Sequence, residues 1–89
     1  MKDVTLDCRE VTDRESLHTL LARELQFPAW YGRNLDALFD MLTSLPGQWI
    51  LRLAHPQALD VLGDYGRAFA ETLQDAALEN PHLQIHWIP

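Results

Sequence analysis

Apolar residues in the middle of the chain recur every three or four positions, which is the spacing of a helix that buries one face. This stripe consists of Leu35, Leu38, Phe39 and Leu42. Asn34 stands directly before the stripe and is a favourable N-cap, because its side-chain oxygen can accept a hydrogen bond from a free backbone N–H of the first turn. The pattern predicts a helix that begins after Asn34 and ends near Ser44.

The segment before this helix has the features of a loop. Pro28 ends any preceding helix, because the residue before a proline is kept out of the helical region. Gly32 allows a sharp turn that other residues adopt less easily. Two adjacent aromatic residues, Trp30 and Tyr31, lie between them, and at least one of the two rings is expected to stay partly exposed.

Three other segments have the pattern of strands. Residues 4–8 alternate, residues 48–54 are rich in large apolar side chains, as a central strand is, and residues 83–88 alternate as a half-buried strand. The apolar face of the first strand consists of Val4, Leu6 and Cys8. The apolar face of the last strand consists of Leu83, Ile85 and Trp87.

Three further helices are predicted. Residues 12–15 match a capping box, so a helix is expected to begin there and to end before Pro28. A second helix is expected over residues 55–63, with Pro56 in its first turn, where proline is favoured. A last helix is expected over residues 66–78. The inward-facing residues of the first and last helices are Leu17, Leu20, Leu21, Leu25, Phe69, Leu73, Ala76 and Ala77.

These elements follow one another as strand, two helices, strand, two helices, strand. Strands that are joined by helical crossovers pair in parallel, with right-handed connections. The order predicts an α/β fold in which a small three-stranded parallel sheet is packed by about four helices. Because the chain has 89 residues and neither an internal repeat nor a linker, we expect one domain over residues 1–89.

The charge of the chain is negative and unevenly distributed. The net charge is −6, and residues 34–89 alone carry seven acidic residues against two arginines. An acidic surface of this kind argues against binding to nucleic acid or to an anionic membrane. It favours a basic protein partner, or it serves solubility alone.

Cysteine content and the N-terminal segment indicate the compartment. Cys8 is the only cysteine, so neither a disulfide framework nor a cysteine-based metal site is expected. The first residues lack the pattern of a signal peptide, and no apolar run approaches the ~20 residues that span a bilayer. These features favour a cytoplasmic protein, which we expect to be a monomer when free.

The central helix carries an unusual polar face. Asp36, Asp40 and Thr43 lie within about 60° of one another around the helix axis. The two carboxylates are one turn apart and repel each other by about a few tenths of a kcal/mol, and no Lys or Arg four residues away relieves them. One interpretation is a solvated acidic face beside two core aromatic residues. The other is a surface for a cationic partner, with aromatic anchors beside carboxylate acceptors.

The usual signatures of catalysis are absent. The chain has no phosphate-binding glycine loop, nucleophile elbow, zinc-protease motif or C-x-x-C pair. Asp36 and Asp40 point the same way from one helix and cannot flank a bond as glycosidase carboxylates do. We therefore expect no enzyme activity, no cofactor and no metal, and a small enzyme or ligand-binding domain is the least favoured alternative. The histidines lack metal-ligand spacing and are expected to be surface or strand residues: His18, His55, His82 and His86.

Residues 28–43 resemble the signature of the barstar family, whose members are intracellular protein inhibitors of barnase-type ribonucleases. That family typically reads P-x-Y-Y-G-x-N-L-D-A-L-W-D-x-L-T, and this chain reads P-A-W-Y-G-R-N-L-D-A-L-F-D-M-L-T. The likeness extends over nearly the whole chain, in length, order of elements and terminal strand. It implies inhibition by occlusion, in which this helix and its preceding loop enter the active-site groove of a basic, extracellular or toxin-type ribonuclease.

The resemblance also implies a role for each residue at a matching position. Asp40 matches the central acid, which pairs with the catalytic arginines and histidine of the enzyme, and Asp36 matches a second acid that faces an arginine. Asp75 aligns with a supporting glutamate if one residue is deleted in the preceding connection. The other matching positions pack on the enzyme or contact it: Trp30, Tyr31, Gly32, Asn34, Phe39 and Thr43.

Some positions depart from the family pattern. Trp30 replaces a tyrosine, Phe39 stands where the family often has tryptophan, and Asp75 is one methylene shorter than glutamate. Leu45 stands where a contacting tryptophan is known in the family. These departures imply a partner that is related to barnase but not interchangeable with it. A non-inhibitory interaction module, which uses the same acidic face on another basic protein, remains the alternative.

Overall fold

Three parallel strands form one sheet in the order β1–β2–β3. The computed structural model describes residues 1–89, with β1 at Lys2–Asp7, β2 at Trp49–Ala54 and β3 at Leu83–Ile88. Leu51 of β2 stands beside Val4 on one side and Ile85 on the other. The predicted three-stranded parallel sheet is confirmed, and the segment richest in large apolar side chains is its central strand.

Helices connect the strands, as the pattern predicts. The three α-helices are α1 (Arg14–Leu25), α2 (Leu35–Thr43) and α3 (Asp64–Glu79). The helix that was predicted over residues 55–63 is a 3₁₀-helix at Pro56–Leu62. A shorter 3₁₀ turn at Cys8–Glu10 follows β1. The 3₁₀ form suits a short connector, because it closes a turn with bonds between residues three apart. The predicted α/β fold with about four helices is therefore confirmed.

Two helix starts differ from their predictions. Asp13 rather than Thr12 caps α1: its carboxylate accepts from the Ser16 backbone N–H at 2.7 Å, and the Ser16 hydroxyl accepts from the Asp13 N–H at 3.0 Å. Adjacent Thr and Asp are both good N-caps, so the pattern left the position open by one residue. α3 begins at Asp64, two residues before Gly66, which lies inside its first turn.

Gly66 is buried where α3 meets the 3₁₀-helix. A Cβ atom at this position would lie 2.7 Å from the Leu59 carbonyl oxygen, which is closer than Cβ atoms approach in real structures. Glycine therefore permits the close approach of the two elements rather than a special backbone angle. The sequence pattern places Gly66 at the start of the last helix, but it does not indicate that this glycine is needed for close packing.

The core lies between one face of the sheet and the three α-helices. Its fully buried side chains include Leu6, Leu17, Leu21, Leu38, Leu42, Leu51, Leu53, Phe69 and Leu73. The opposite face of the sheet is more polar, and there Arg52 donates to the Asp3 carboxylate at 2.9 Å. The helix stripes that the sequence predicts are thus the stripes that are buried.

Helix α2 is supported from α3. The two helices pack against each other, and the buried Asn80 side chain, which follows α3, donates to the Leu42 carbonyl at 3.0 Å. This bond satisfies a carbonyl at the C-terminal end of α2, where no further backbone N–H is available within the helix. The polar face of α2 is therefore presented on a helix that is fixed at its end.

Candidate functional site

The two adjacent aromatic residues of the loop point in opposite directions. The Trp30 side chain is 76% exposed, whereas Tyr31 is 5% exposed and belongs to the core. Phe27 at the start of the loop packs on Tyr31, with ring centroids 4.7 Å apart. The expectation that at least one ring stays exposed is confirmed, and that ring is Trp30. Tyr31 offers a partner little surface in this structure.

Tyr31 is anchored through a buried histidine. His18 on α1 is 1% exposed, and its Nδ1 lies 2.7 Å from the Tyr31 hydroxyl while its Nε2 lies 2.7 Å from the Tyr65 hydroxyl on α3. Burial lowers the pKa of His18, and the nearby Arg33 guanidinium lowers it further. The neutral ring has one N–H donor and one acceptor, so one hydroxyl accepts from it and the other donates to it.

The prediction that His18 is a surface or strand residue is wrong. The spacing along α1 does indicate that His18 is buried. His18, Leu21 and Leu25 are three and four residues apart, so the histidine shares the apolar face of the helix. A histidine in an apolar stripe is buried when both ring nitrogens find partners. Here the two tyrosine hydroxyls are those partners, and they come from other elements of the chain.

Asp36 and Asp40 are exposed on α2, and neither forms an ion pair within the chain. Asn34 caps the helix as predicted, since its side-chain oxygen accepts from the Ala37 N–H at 2.8 Å. Asp36 lies in the first turn, where the helix dipole favours a negative charge, and no basic residue lies in the last turn. The helix thus presents two carboxylates whose hydrogen-bonding capacity is available to a partner.

The other expected contact residues surround these carboxylates on α2 and its loop. Gly32 lies close against the first turn, where an added Cβ would be 3.1 Å from the Ala37 Cβ. Phe39 is half-buried against the core. Thr43 is also half-buried, and its hydroxyl donates to the Phe39 carbonyl at 2.8 Å, so only its oxygen remains free to accept. These residues therefore lie on the loop and on the helix that directly follows it.

Asp75 is exposed on α3, the helix that packs against α2. It forms no ion pair within the chain either. Its placement on the neighbouring helix is compatible with a supporting acidic position beside the α2 surface. The structure brings the other predicted residues together directly, on one loop and one helix.

Arg33 ties the loop to α1. Its guanidinium donates to the Glu15 carbonyl at 3.0 Å and to the Thr19 hydroxyl at 2.6 Å. Its backbone is in the left-handed region, with φ at 57°. Loop residues 28–33 are therefore held at two points, by Tyr31 inside and by Arg33 outside. The sequence pattern does not indicate this role of Arg33, because its partners lie 14 and 18 residues away along the chain.

No group of three or more His, Cys, Asp or Glu side chains is arranged to hold a metal ion. No helix is long and apolar enough to cross a membrane. Cys8 is buried, and burial raises the pKa of its thiol to about 11, so it is not a reactive thiolate.

Comparisons with known proteins point in one direction. Residues 1–87 match the model of the family described as Barstar (barnase inhibitor). A protein of Bacillus subtilis (strain 168) named "Putative ribonuclease inhibitor YrdF" is 38% identical over 82 residues, which cover 89% of each chain. Both similarities extend over nearly the whole chain, so they include the loop, α2 and α3 together.

Proposed function

The chain belongs to the barstar family, and on that premise we propose that it inhibits a basic ribonuclease by covering its active site with α2 and the preceding loop. The family is one of inhibitors rather than enzymes, and it implies a ribonuclease as the partner.

The observation that carries the proposal is the pair of unpaired carboxylates on α2. Four of the six arginines already pair with acidic residues elsewhere, yet neither Asp36 nor Asp40 forms an ion pair within the chain. Two like charges one turn apart disfavour the free helix slightly. That repulsion would be relieved when cationic side chains of a ribonuclease approach, so the arrangement favours the bound state.

In the complex, Asp40 would occupy the position of a substrate phosphate. Arginine binds a carboxylate through charge-assisted and often bidentate hydrogen bonds, the same geometry that it uses for phosphate. Asp36 would face a second arginine nearer the N-terminus of α2. Asp75 would contribute a supporting negative charge from α3.

Trp30 would supply the aromatic anchor of the interface. An indole that is 76% exposed is costly to leave in water and is typical of residues that dominate binding. Asn34, Gly32, Phe39 and Thr43 would complete the surface around it. The role of Tyr31 would be mainly to hold the loop in place from inside, because its ring is buried.

We propose the cytoplasm as the place of action, where such an inhibitor would protect a cell from a ribonuclease of its own or of a neighbour. A single buried cysteine is compatible with a reducing compartment. The net charge of −6 opposes that of a basic enzyme and would speed their encounter.

The test is a titration of this protein into barnase and several other guanyl-type ribonucleases while RNA cleavage is followed. Stoichiometric inhibition of at least one enzyme is expected, and Asp40→Ala should abolish it. Asp60→Ala is the matched control, because it removes an exposed acid from the 3₁₀-helix, away from α2. If no enzyme is inhibited, the inhibition proposal is wrong. The alternative, a non-inhibitory complex of the same acidic face with another basic protein, is then tested by pull-downs at low salt.

A further inference from the structure

A cleft lies beside the acidic face, where the start of α1, the loop, the start of α2 and the start of α3 meet. Its volume is about 450 Å³, and its lining includes Arg14, Glu15, Arg33, Asp36 and Tyr65. We call this the arginine cleft. Because Asp36 belongs both to its lining and to the proposed binding surface, any partner that covers α2 would also cover this cleft.

The two arginines of the cleft are the ones without a carboxylate partner. Arg9, Arg23 and Arg52 pair with acids at 2.9–3.1 Å, and Arg67 pairs with Asp64. In a chain of net charge −6, two unpaired arginines at one cleft are not explained by a shortage of acids. Their positive charge is available to a ligand.

Both side chains are held in place. Arg33 uses one terminal nitrogen for the Glu15 carbonyl and the Thr19 hydroxyl, which leaves its other N–H groups unused. The Arg14 guanidinium lies over the Tyr65 ring, 4.2 Å from its centroid. Tyr65 is in turn oriented by its bond to His18. Side chains fixed in this way lose little freedom when a ligand binds.

Both arginines also stand where local preference opposes them. Arg14 is the first residue of α1, where the helix dipole disfavours a positive charge. Arg33 has φ at 57°, a region that residues other than glycine rarely adopt. Local rules are broken most often at functional sites. Because both unfavourably placed arginines line the same cleft, the cleft is a candidate binding site.

We propose that the arginine cleft receives a carboxylate side chain of the bound ribonuclease. The inference rests on the proposed function and adds to it. The binding surface is then bipolar: α2 offers carboxylates to cations of the enzyme, and the cleft offers guanidinium groups to an acidic residue beside them. Arginine forms paired hydrogen bonds with a carboxylate. Asp36 and Glu15 in the lining, together with the net charge, disfavour a polyanion such as RNA.

The rate of dissociation distinguishes two possible roles of Arg14, which are binding a carboxylate of the ribonuclease and repelling its basic surface. Arg14→Gln removes a positive charge from an exposed side chain, and so does the control Arg67→Gln, on the outer side of α3. If Arg14 only repelled a basic enzyme, its removal would tighten binding. If it holds a carboxylate, the ribonuclease should dissociate about tenfold faster from Arg14→Gln and at an unchanged rate from Arg67→Gln. Unchanged or slower dissociation from Arg14→Gln would overturn the proposal.

A second measurement does not depend on any ribonuclease. Succinate is titrated into the free protein while the arginine Nε–Hε signals are followed by NMR. Saturable shifts confined to Arg14 and Arg33, and lost in Arg14→Gln, support a carboxylate site. Equal small shifts at all arginines, or shifts with inorganic phosphate but not with succinate, overturn it.

The two measurements keep the proposals apart. If the unaltered protein inhibits no ribonuclease, the proposed function fails, and the succinate titration alone decides whether the cleft binds carboxylates. If it inhibits one and Asp40→Ala abolishes that inhibition while Arg14→Gln leaves dissociation unchanged, the function stands and the cleft proposal fails.

Discussion

The Tyr31 hydroxyl lies 2.7 Å from Nδ1 of His18. The residue before Tyr31 in the same loop, Trp30, is the most exposed aromatic side chain of the protein. Through Nε2 the same imidazole reaches the Tyr65 hydroxyl on α3. One buried ring therefore joins the loop, α1 and α3. Because the proposed binding surface begins on this loop, its position depends on a contact inside the fold, with the buried His18 ring.

Replacement of this ring should be costly for the fold. His18→Ala would open a cavity and leave two tyrosine hydroxyls without partners, one of them in the core. We expect a loss of about 3 kcal/mol in the free energy of unfolding, measured by urea denaturation. His82→Ala is the control, since that side chain is exposed, and it should change the unfolding free energy by less than about 0.5 kcal/mol. Equal effects of the two changes would contradict the role of His18.

Stability should also depend on pH through the same ring. The pKa of His18 is lowered by burial in the folded protein, whereas in the unfolded chain it has its ordinary value of 6.5. Below pH 6.5 the His18 ring binds a proton in the unfolded chain but stays neutral to lower pH in the folded protein. The free energy of unfolding therefore falls as the pH decreases. We expect the urea midpoint to fall as the pH is lowered below about 6.5, at a pH above that where most carboxylates titrate. In His18→Gln this part of the pH dependence should disappear.

The sequence pattern predicts those parts of the fold that depend on neighbouring residues. The start of α2 is one example, because the Asn34 side chain accepts from the N–H of Ala37, three residues along, and the apolar stripe follows directly. The parallel sheet is another, since each pair of strands is separated by helical segments that require a crossover. The pattern does not fix a helix boundary where two adjacent residues can both act as the N-cap, as Thr12 and Asp13 can.

Contacts between distant segments could not be predicted in this way. The inward position of Tyr31 depends on His18, which is 13 residues away, and His18 depends on Tyr65, a further 47 residues along. Adjacent aromatic residues in a loop give no indication of which ring turns inward. Arg14 and Arg33 likewise meet at one cleft only because α1 and the loop are packed together. The acidic face was readable from helical spacing, and the cleft beside it was not.

Removal of the central acid should separate binding from folding. Asp40→Ala should weaken inhibition of the cognate ribonuclease more than about a hundredfold, because at least two charge-assisted hydrogen bonds would be lost. The urea midpoint should stay the same or rise slightly, since Asp40 is exposed and has no ion pair in the free protein, and its repulsion of Asp36 is removed. Inhibition constants and denaturation curves for Asp40→Ala and Asp60→Ala check both statements. Undiminished inhibition by Asp40→Ala would place the binding surface elsewhere.

Salt should slow association more than it speeds dissociation. The inhibitor carries a net charge of −6, and a basic ribonuclease is attracted to it over distances near the Debye length, about 30 Å at 0.01 M salt and about 8 Å at 0.15 M. We expect the association rate constant to fall at least about tenfold between these conditions, measured by stopped-flow fluorescence. Dissociation should change by less, because contacts inside the interface are screened less. An association rate that does not depend on salt would argue against electrostatic steering.

The two adjacent aromatic residues should respond to substitution in opposite ways. Trp30→Ala removes a ring that is 76% exposed, so it should leave stability within about 0.5 kcal/mol but weaken inhibition about tenfold or more. Tyr31→Phe keeps the buried ring and removes only the hydroxyl that faces His18, so it should lower the free energy of unfolding by about 1–2 kcal/mol. Urea denaturation and inhibition titration of both variants test the contrast. A loss of stability in Trp30→Ala, together with a pure loss of affinity in Tyr31→Phe, would reverse the assignment of anchor and support.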